Sequence, residues 1–438
     1  MKMPKSFLKL QKRLTFDNLM RHLEQQFNRI SDHRRANKSY SLPDVLKSAF
    51  AMFSLKSPSL LSFQEQTRIE RSNLKQIYRI RAIPADSQMR AILDQVEPAS
   101  VRWIFPSVFT LLRRAGVIKE YQYWHKHVLV SIDGVEHFNS RKIHCSNCTT
   151  KVSRDGTISY QHRALAAVIV HPEQKQVLPI DFEPVVCQDG AEKNDFERTA
   201  AKRLMESLSA EYPNVKMLLV EDALYANAPH LRQVVENGWN YIVSVKPDSH
   251  KSLFKQLEWR TENGQVRHFE REDEERGVKQ LFQWTENLFL CSAAPDVKVN
   301  VLWFEEKDKA GKVTRWTWAT SLPLTKRTVE KVMKAGRARW KIENEAFNTL
   351  KNQGYNFEHN YGHGERWLAT VLAMLMMLAF LVDQIQERCC ELFKQLRANL
   401  RTRAKLWETM RSLFKIVLFP SMSSLYAQMA ELYEIQLR

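Results

Sequence analysis

The sequence predicts a mixed α/β fold, with a core of strands and helices split by an all-β insertion and flanked by helical regions at both ends. Three observations predict it. Apolar β-patterned runs begin abruptly at about residue 126, after a stretch broken by Pro43, Pro58 and Pro84 that reads as short helices. Strand and helix patterns then alternate to about residue 246. Between 247 and 323 the runs LFQW, LFLCS, KVNVLWF and TRWTWATSL are all β-patterned, and only afterwards does a long helical pattern return.

The head, residues 1–115, is basic: its first forty residues carry ten Lys and Arg against three acids. The opening MKMPKSFLKLQKRL lacks the continuous apolar stretch and small-residue cleavage site of a signal peptide, so export is not expected. Further on, Asp86 or Ser87 reads as the N-cap of a helix to about Leu93, preceded by a short helix near Leu74 to Tyr78. Such a pair is a helix-turn-helix-like DNA reader with Ser87, Gln88 and Arg90 exposed to bases or phosphates, or equally a pair that only packs.

In the core, HVLVSID, HRALAAVIV and QVLPIDFEPV are three strands. They are followed by a helix from Asp195 to about Ala210, whose Phe196, Ala200, Leu204 and Leu208 share a face. Strand Lys216 to Val220, helix His230 to Glu236 and strand Trp239 to Val245 complete a β-β-β-α-β-α-β order over 125–246. This is the order of a ribonuclease H-like domain, in which the first and fourth strands lie side by side. The last helix of that fold is expected at about Arg327 to Asn352, opening a final core segment over 324–385, with a helical tail over 386–438. The apolar run Trp367 to Val382 falls short of the ~20 residues that span a bilayer and reads as a core helix, with membrane insertion the lesser alternative.

Composition bounds the partners. Across 438 residues, 66 Lys and Arg against 49 Asp and Glu leave a net charge of +17, a surplus suited to a polyanion: nucleic acid first, an anionic membrane surface second. A hydrophobic fraction of 44% excludes wholesale disorder. Six cysteines, two adjacent at Cys389 and Cys390, do not form a disulfide framework, so a reducing compartment is expected. Cys145-x-x-Cys148 with His162 invites a zinc reading, with Cys187 as a fourth ligand.

The carboxylates carry the chemistry. Asp133 ends the run Val128 to Ile132 and Asp222 follows Met217 to Glu221, so on adjacent strands the two converge. Paired carboxylates repel unless a cation lies between them, and Mg²⁺ takes one or two carboxylates plus phosphate oxygens. On the last helix, Gly336, Trp340, Glu343, Phe347, Leu350 and Gly354 share one face by helical spacing, placing Glu343 on the stripe that packs on the sheet, where its charge is compensated by Arg339 one turn earlier, by a metal, or by both, the alternative being a purely structural Arg339–Glu343 pair.

These residues resemble the DDE transposases of bacterial insertion sequences, in the insertion-sequence-four group. The helix signature of that group is Tyr, two residues, Arg, three residues, Glu, six residues, Lys. Arg339 and Glu343 match it, whereas the Tyr position is Gly336 and Lys351 comes one residue late. The resemblance covers about residues 125–385. It implies Asp133, Asp222 and Glu343 as catalytic metal ligands for Mg²⁺ or Mn²⁺, with two ions, and Arg339 and Lys351 on DNA phosphates. It further implies cleavage and strand transfer at the terminal repeats of an element, double-stranded DNA as partner, a homodimer on DNA, and a bacterial cytoplasmic, nucleoid-associated location. A Trp in the insertion can stack a flipped base in such proteins, and Trp259, Trp284, Trp303, Trp316 and Trp318 are the candidates here. Two alternatives share these residues: a ribonuclease H-like nuclease, and a DNA-binding relative without catalysis.

Overall fold

A strand covered on both faces reads as a nearly unbroken apolar run, and Val128 to Ile132 is buried throughout. The computed structural model describes residues 14–34, 39–190 and 193–435, and the side chains of all of these except 68–71 and 193–195. The basic segment 1–13 of the expected head lies outside the described residues. Among the described residues, eleven strands form one sheet: β1 (Gln122–Trp124), β2 (His127–Ser140), β3 (Thr149–Val152), β4 (Ile158–Val170), β5 (Leu178–Val185), β6 (Met217–Glu221), β7 (Asn240–Ser244), β8 (Arg267–Asp273), β9 (Val278–Cys291), β10 (Ala294–Lys307) and β11 (Val313–Thr320). Their order is β3-β4-β2-β6-β7-β11-β10-β9-β8, with β1 on β2 and β5 on β4. The expected adjacency is present: β2 pairs in parallel with β6, and β6 in parallel with β7.

The insertion differs from expectation in two ways. It is not all-β, because Lys251–Glu262 is a helix: Leu253 and Leu257, one turn apart, are buried, with the helix lying along β9. Nor do its strands form a sheet of their own, since β11 pairs antiparallel with β7 and carries the core sheet onward into β10, β9 and β8. Strand β2 also runs past Asp133 to Ser140, paired antiparallel with β4, whereas its parallel pairing with β6 stops at Ser131 and Val220.

In the head, Thr15, Ser41 and Ser59 cap the helices Phe16–Phe27, Leu42–Ser54 and Leu60–Ile77 through their side-chain oxygens. The short helix expected near Leu74 is the last turn of Leu60–Ile77 and its cap. Helix Asp86–Leu93 follows, but its N-cap is Ala85 rather than Asp86 or Ser87. Asp86 instead pairs with Arg90, one turn on, at 2.6 and 3.1 Å.

Helix Leu368–Cys389 is long and apolar enough to cross a membrane, yet its apolar window is wholly buried inside the protein. It packs against Leu42–Ser54 of the head and against β5. Asp94, from the head, accepts hydrogen bonds from the backbone N–H groups of Glu365, Arg366, Trp367 and Leu368 at 3.0 to 3.1 Å, holding the chain as it enters this helix and satisfying its first N–H. Head, core and tail therefore share one apolar interior.

Candidate active site

Because Ser131 pairs with Val220 in parallel, Asp133, two residues further along β2, and Asp222, just past the end of β6, emerge on the same side of the sheet end. Each carboxylate is held by a local turn: Gly134 N–H donates to Asp133 Oδ1 at 2.8 Å, and Leu224 N–H to Asp222 Oδ1 at 2.9 Å. The third carboxylate arrives from across the sheet. Arg339 Nη1 donates to Glu343 Oε1 at 2.6 Å and to Asp133 Oδ2 at 3.4 Å, so one guanidinium nitrogen joins the helix carboxylate to the strand carboxylate.

Burial pushes the Asp133 carboxyl up to about 7, with Glu343 and Asp222 adding to the shift and the Gly134 N–H and Arg339 opposing it. A set of hard oxygen donors that repel one another fits a divalent cation. The shift also has a sign. A carboxyl raised in the folded state stabilises that state fully below the ordinary carboxylate range and loses this contribution as pH rises through about 7. In chelator, the unfolding temperature is therefore expected to fall more steeply from about pH 5 to about pH 8 for the parent than for Asp133→Asn. Parallel slopes in thermal melts would overturn this account of Asp133.

The helix that carries Glu343 departs from a uniform 3.6-residue period. It runs as Val329–Ala338, tightens at Arg339, then widens into a π turn over Ile342–Phe347 before Asn348–Asn352. The residues buried against the sheet are Ala338, Ile342, Ala346, Phe347 and Leu350. Trp340 is 56% exposed, and the Glu343 side chain 44% exposed, so the stripe expected to bury both is corrected: Glu343 lies at its edge, reaching Asp133 through Arg339. The π turn also accounts for the late lysine. Seven residues make about two α-helical turns, and a π turn takes up one more, so Lys351 returns to the face of Glu343. Lys351 pairs there with Glu358 at 2.6 Å.

Gly336 is closely covered. A Cβ placed on Gly336 would lie 2.6 Å from Nε1 of Trp318, whose buried indole fills that space. Among the other tryptophans, Trp284 is buried, Trp303 and Trp316 are half-buried, and Trp259 is 53% exposed on the Lys251–Glu262 helix.

Several residues near the site were not anticipated. Arg198, Lys246 and Lys251 line a cavity with Asp222, and His250 ties its rim by facing the carbonyl oxygens of Ala226 at 3.0 Å and Lys246 at 3.2 Å. Behind Asp222, the buried Glu221 binds His230 Nε2 through both oxygens at 3.0 and 2.9 Å. No motif spacing links these groups; they meet only through the sheet. In the head, Ser87 and Gln88 are exposed, while Arg90 is half-buried in its pair with Asp86. In the tail, Arg403 is buried against Glu387 at 2.7 Å.

The Cys145, Cys148 and His162 side chains do meet, but Cys187 is not with them: its Sγ donates to the Ser146 carbonyl at 2.8 Å. His363, from the connector before Leu368–Cys389, takes the fourth place.

Residues 162–381, half of the chain, match the family model for the transposase DDE domain. This chain belongs to the transposase DDE-domain family. The match contains Asp222 and Glu343 and begins downstream of Asp133. DDE transposases use divalent metal ions, in keeping with the donor set described above. Among solved structures, the chain is similar to a piggyBac transposase synaptic complex with hairpin DNA, at 12% identity and a TM-score of 0.42, over 97% of this chain and 82% of that one. No curated protein matches the chain.

Proposed function

We propose that this member of the DDE family is a transposase of the insertion-sequence-four type, which cleaves DNA at the ends of a bacterial insertion sequence and joins them to target DNA. The observation that carries this reading is the convergence of Asp133, Asp222 and Glu343, with Arg339 between two of them. The strand order β5-β4-β2-β6-β7, antiparallel on one side of β2 and parallel on the other, supports a ribonuclease H-like core made of 125–246 and 324–385.

Asp133, Asp222 and Glu343 would hold Mg²⁺ or Mn²⁺, with room in the donor set for two ions. When bound, such ions activate the attacking oxygen and stabilise the leaving one. The chain supplies the rest. Arg339, which bridges Glu343 and Asp133, would hold a phosphate of the DNA beside them. Lys351, on the same face, neutralises a neighbouring phosphate, and Arg198, Lys246 and Lys251 carry the backbone past Asp222. The head, with Ser87, Gln88 and Arg90, reads the terminal repeats. Two copies acting on paired ends, in the bacterial cytoplasm at the nucleoid, complete the reading.

The test is incubation of the full chain with labelled terminal-repeat duplex and target plasmid in Mg²⁺ or Mn²⁺. Cleavage at the repeat boundary followed by joining is expected. Cutting without joining or end preference would replace this reading with a nuclease, and specific binding without any cutting would replace it with an inactive relative.

A further inference from the structure

The Cys145–Cys148 turn lies far along the β2–β4 hairpin from the carboxylates: Asp133 pairs with Ala166, whereas Phe138 pairs with His162. Two sulfurs and two imidazole nitrogens converge there. Cys145 Sγ lies 3.9 Å from Cys148 Sγ and 3.5 Å from His162 Nε2. Cys148 Sγ lies 3.4 Å from His162 Nε2 and 3.3 Å from His363 Nε2, and the two Nε2 atoms are 3.1 Å apart. All four ligand atoms fall within 4.8 Å of one another.

Five of the six separations approach the edges of a tetrahedron, and the sixth, Cys145 Sγ to His363 Nε2, is within 4.8 Å. With Zn–S near 2.3 Å and Zn–N near 2.0 to 2.1 Å, a tetrahedral ion sets sulfurs about 3.8 Å apart, nitrogens about 3.4 Å apart and mixed pairs about 3.5 to 3.6 Å apart. A disulfide does not explain the cluster, because bonded sulfurs lie about 2.05 Å apart. The ligands are oriented as well as close. His363 Nδ1 lies 2.6 Å from the carbonyl oxygen of Gly364, which can only accept, so Nδ1 carries the proton and Nε2 turns a lone pair inward. The backbone N–H of Cys145 donates to Cys148 Sγ at 3.5 Å, closing the turn that brings the two sulfurs together. Cys148, His162 and His363 are buried, and Cys145 is half-buried, with no position left open for water as a catalytic zinc requires.

We infer that Cys145, Cys148, His162 and His363 form a structural Zn²⁺ site, separate from the carboxylate centre. It ties three parts of the chain: the hairpin turn, strand β4, and the connector that leads from the Glu343 helix to Leu368–Cys389. Asn147 Nδ2, within the turn, adds a hydrogen bond to the Arg366 carbonyl at 3.0 Å. The connector is thus held on one side by the zinc knot and on the other by Asp94 of the head. The ion's place is a clamp on the chain just beyond the helix that carries Glu343 and Lys351.

The experiment is elemental analysis of full-length protein with any affinity tag removed, before and after exchange with Co²⁺. One zinc per chain is expected, together with the visible bands of tetrahedral cobalt and a thiolate-to-cobalt charge-transfer band. Asp133→Asn and Cys187→Ser should keep the metal, and Cys148→Ser and His363→Ala should lose it and melt at lower temperature. If those two variants fail to fold, the parent still decides: zinc must protect two thiols from modification, and chelation must expose them. Zinc well below one per chain after zinc-replete growth, or thiols equally reactive with and without zinc, would overturn the assignment.

Discussion

Glu343→Gln is expected to abolish metal-dependent strand cleavage, by roughly 10³-fold or more, whereas Glu345→Gln leaves it within a few-fold of the parent. The two side chains differ in what surrounds them. Glu343 is bonded to the guanidinium that also reaches Asp133, and its charge raises the Asp133 carboxyl. Glu345 points its charge elsewhere, toward Lys341 and Arg403, whose titrations it perturbs. Removing one member of a cooperating ligand set costs nearly all of the activity, while removing a distant charge alters little. Both variants are to be assayed on the same terminal-repeat duplex after each is shown to bind it. A dead Glu345→Gln beside an active Glu343→Gln would reverse the assignment of the third carboxylate.

Lys56→Ala is expected to destabilise the protein by about 3 to 5 kcal/mol, the scale on which one partner is lost from a buried ion pair. Lys56 follows helix Leu42–Ser54 and buries its ammonium group, with Nζ 2.5 Å from Asp383 Oδ2 on the core helix and 2.8 Å from the Ser54 carbonyl. It also sits 4.4 Å from the ring centroid of Tyr355 and 4.1 Å from that of Trp407. Burial pulls the Lys56 ammonium down, opposed by Asp383, and pushes the Asp383 carboxyl up, opposed by Lys56. Each charge is tolerated only because of the other. Lys56→Met with Asp383→Leu should therefore cost much less than Lys56→Ala alone. Denaturant melts compare the three, and a Lys56→Ala protein within about 0.5 kcal/mol of the parent would refute the coupling.

The same contact marks where sequence reasoning stopped. The strands of the core were legible because Val128 to Ile132 and His162 to Val170 are too apolar to be surface chain, and their order alone placed Asp133 beside Asp222. The head reads as a separate region because its short helical pattern gives way abruptly to β-patterned runs near residue 126. Lys56, Asp94 and the helix Leu42–Ser54 instead bind it to Leu368–Cys389, through partners more than 250 residues away that no local pattern pairs. The helix Lys251–Glu262 was overlooked because aromatic β-patterned runs on its far side set the reading for the whole insertion. The period of the Glu343 helix misled for a different reason: a fixed 100° step cannot foresee the tightening at Arg339 and the π turn over Ile342–Phe347, which break up the stripe expected to bury Trp340 and Glu343 together. His363 lay out of reach because a ligand 215 residues from Cys148 carries no spacing signal.

Gly336 and Trp318 also constrain how this sequence can change over time. The indole occupies the volume that a side chain at 336 would need, and the nearest ring atoms stand 2.6 and 2.7 Å from where its first carbon would go. Even alanine is shut out while the ring stays. A lineage that placed a larger side chain at 336 would first have to shrink the residue at 318, and that step alone opens a hole beneath the helix bearing Arg339. Each single step is therefore selected against, although the exchange as a whole conserves volume. The two positions are locked as a pair, and descendants of this chain should inherit glycine and tryptophan together or replace them together.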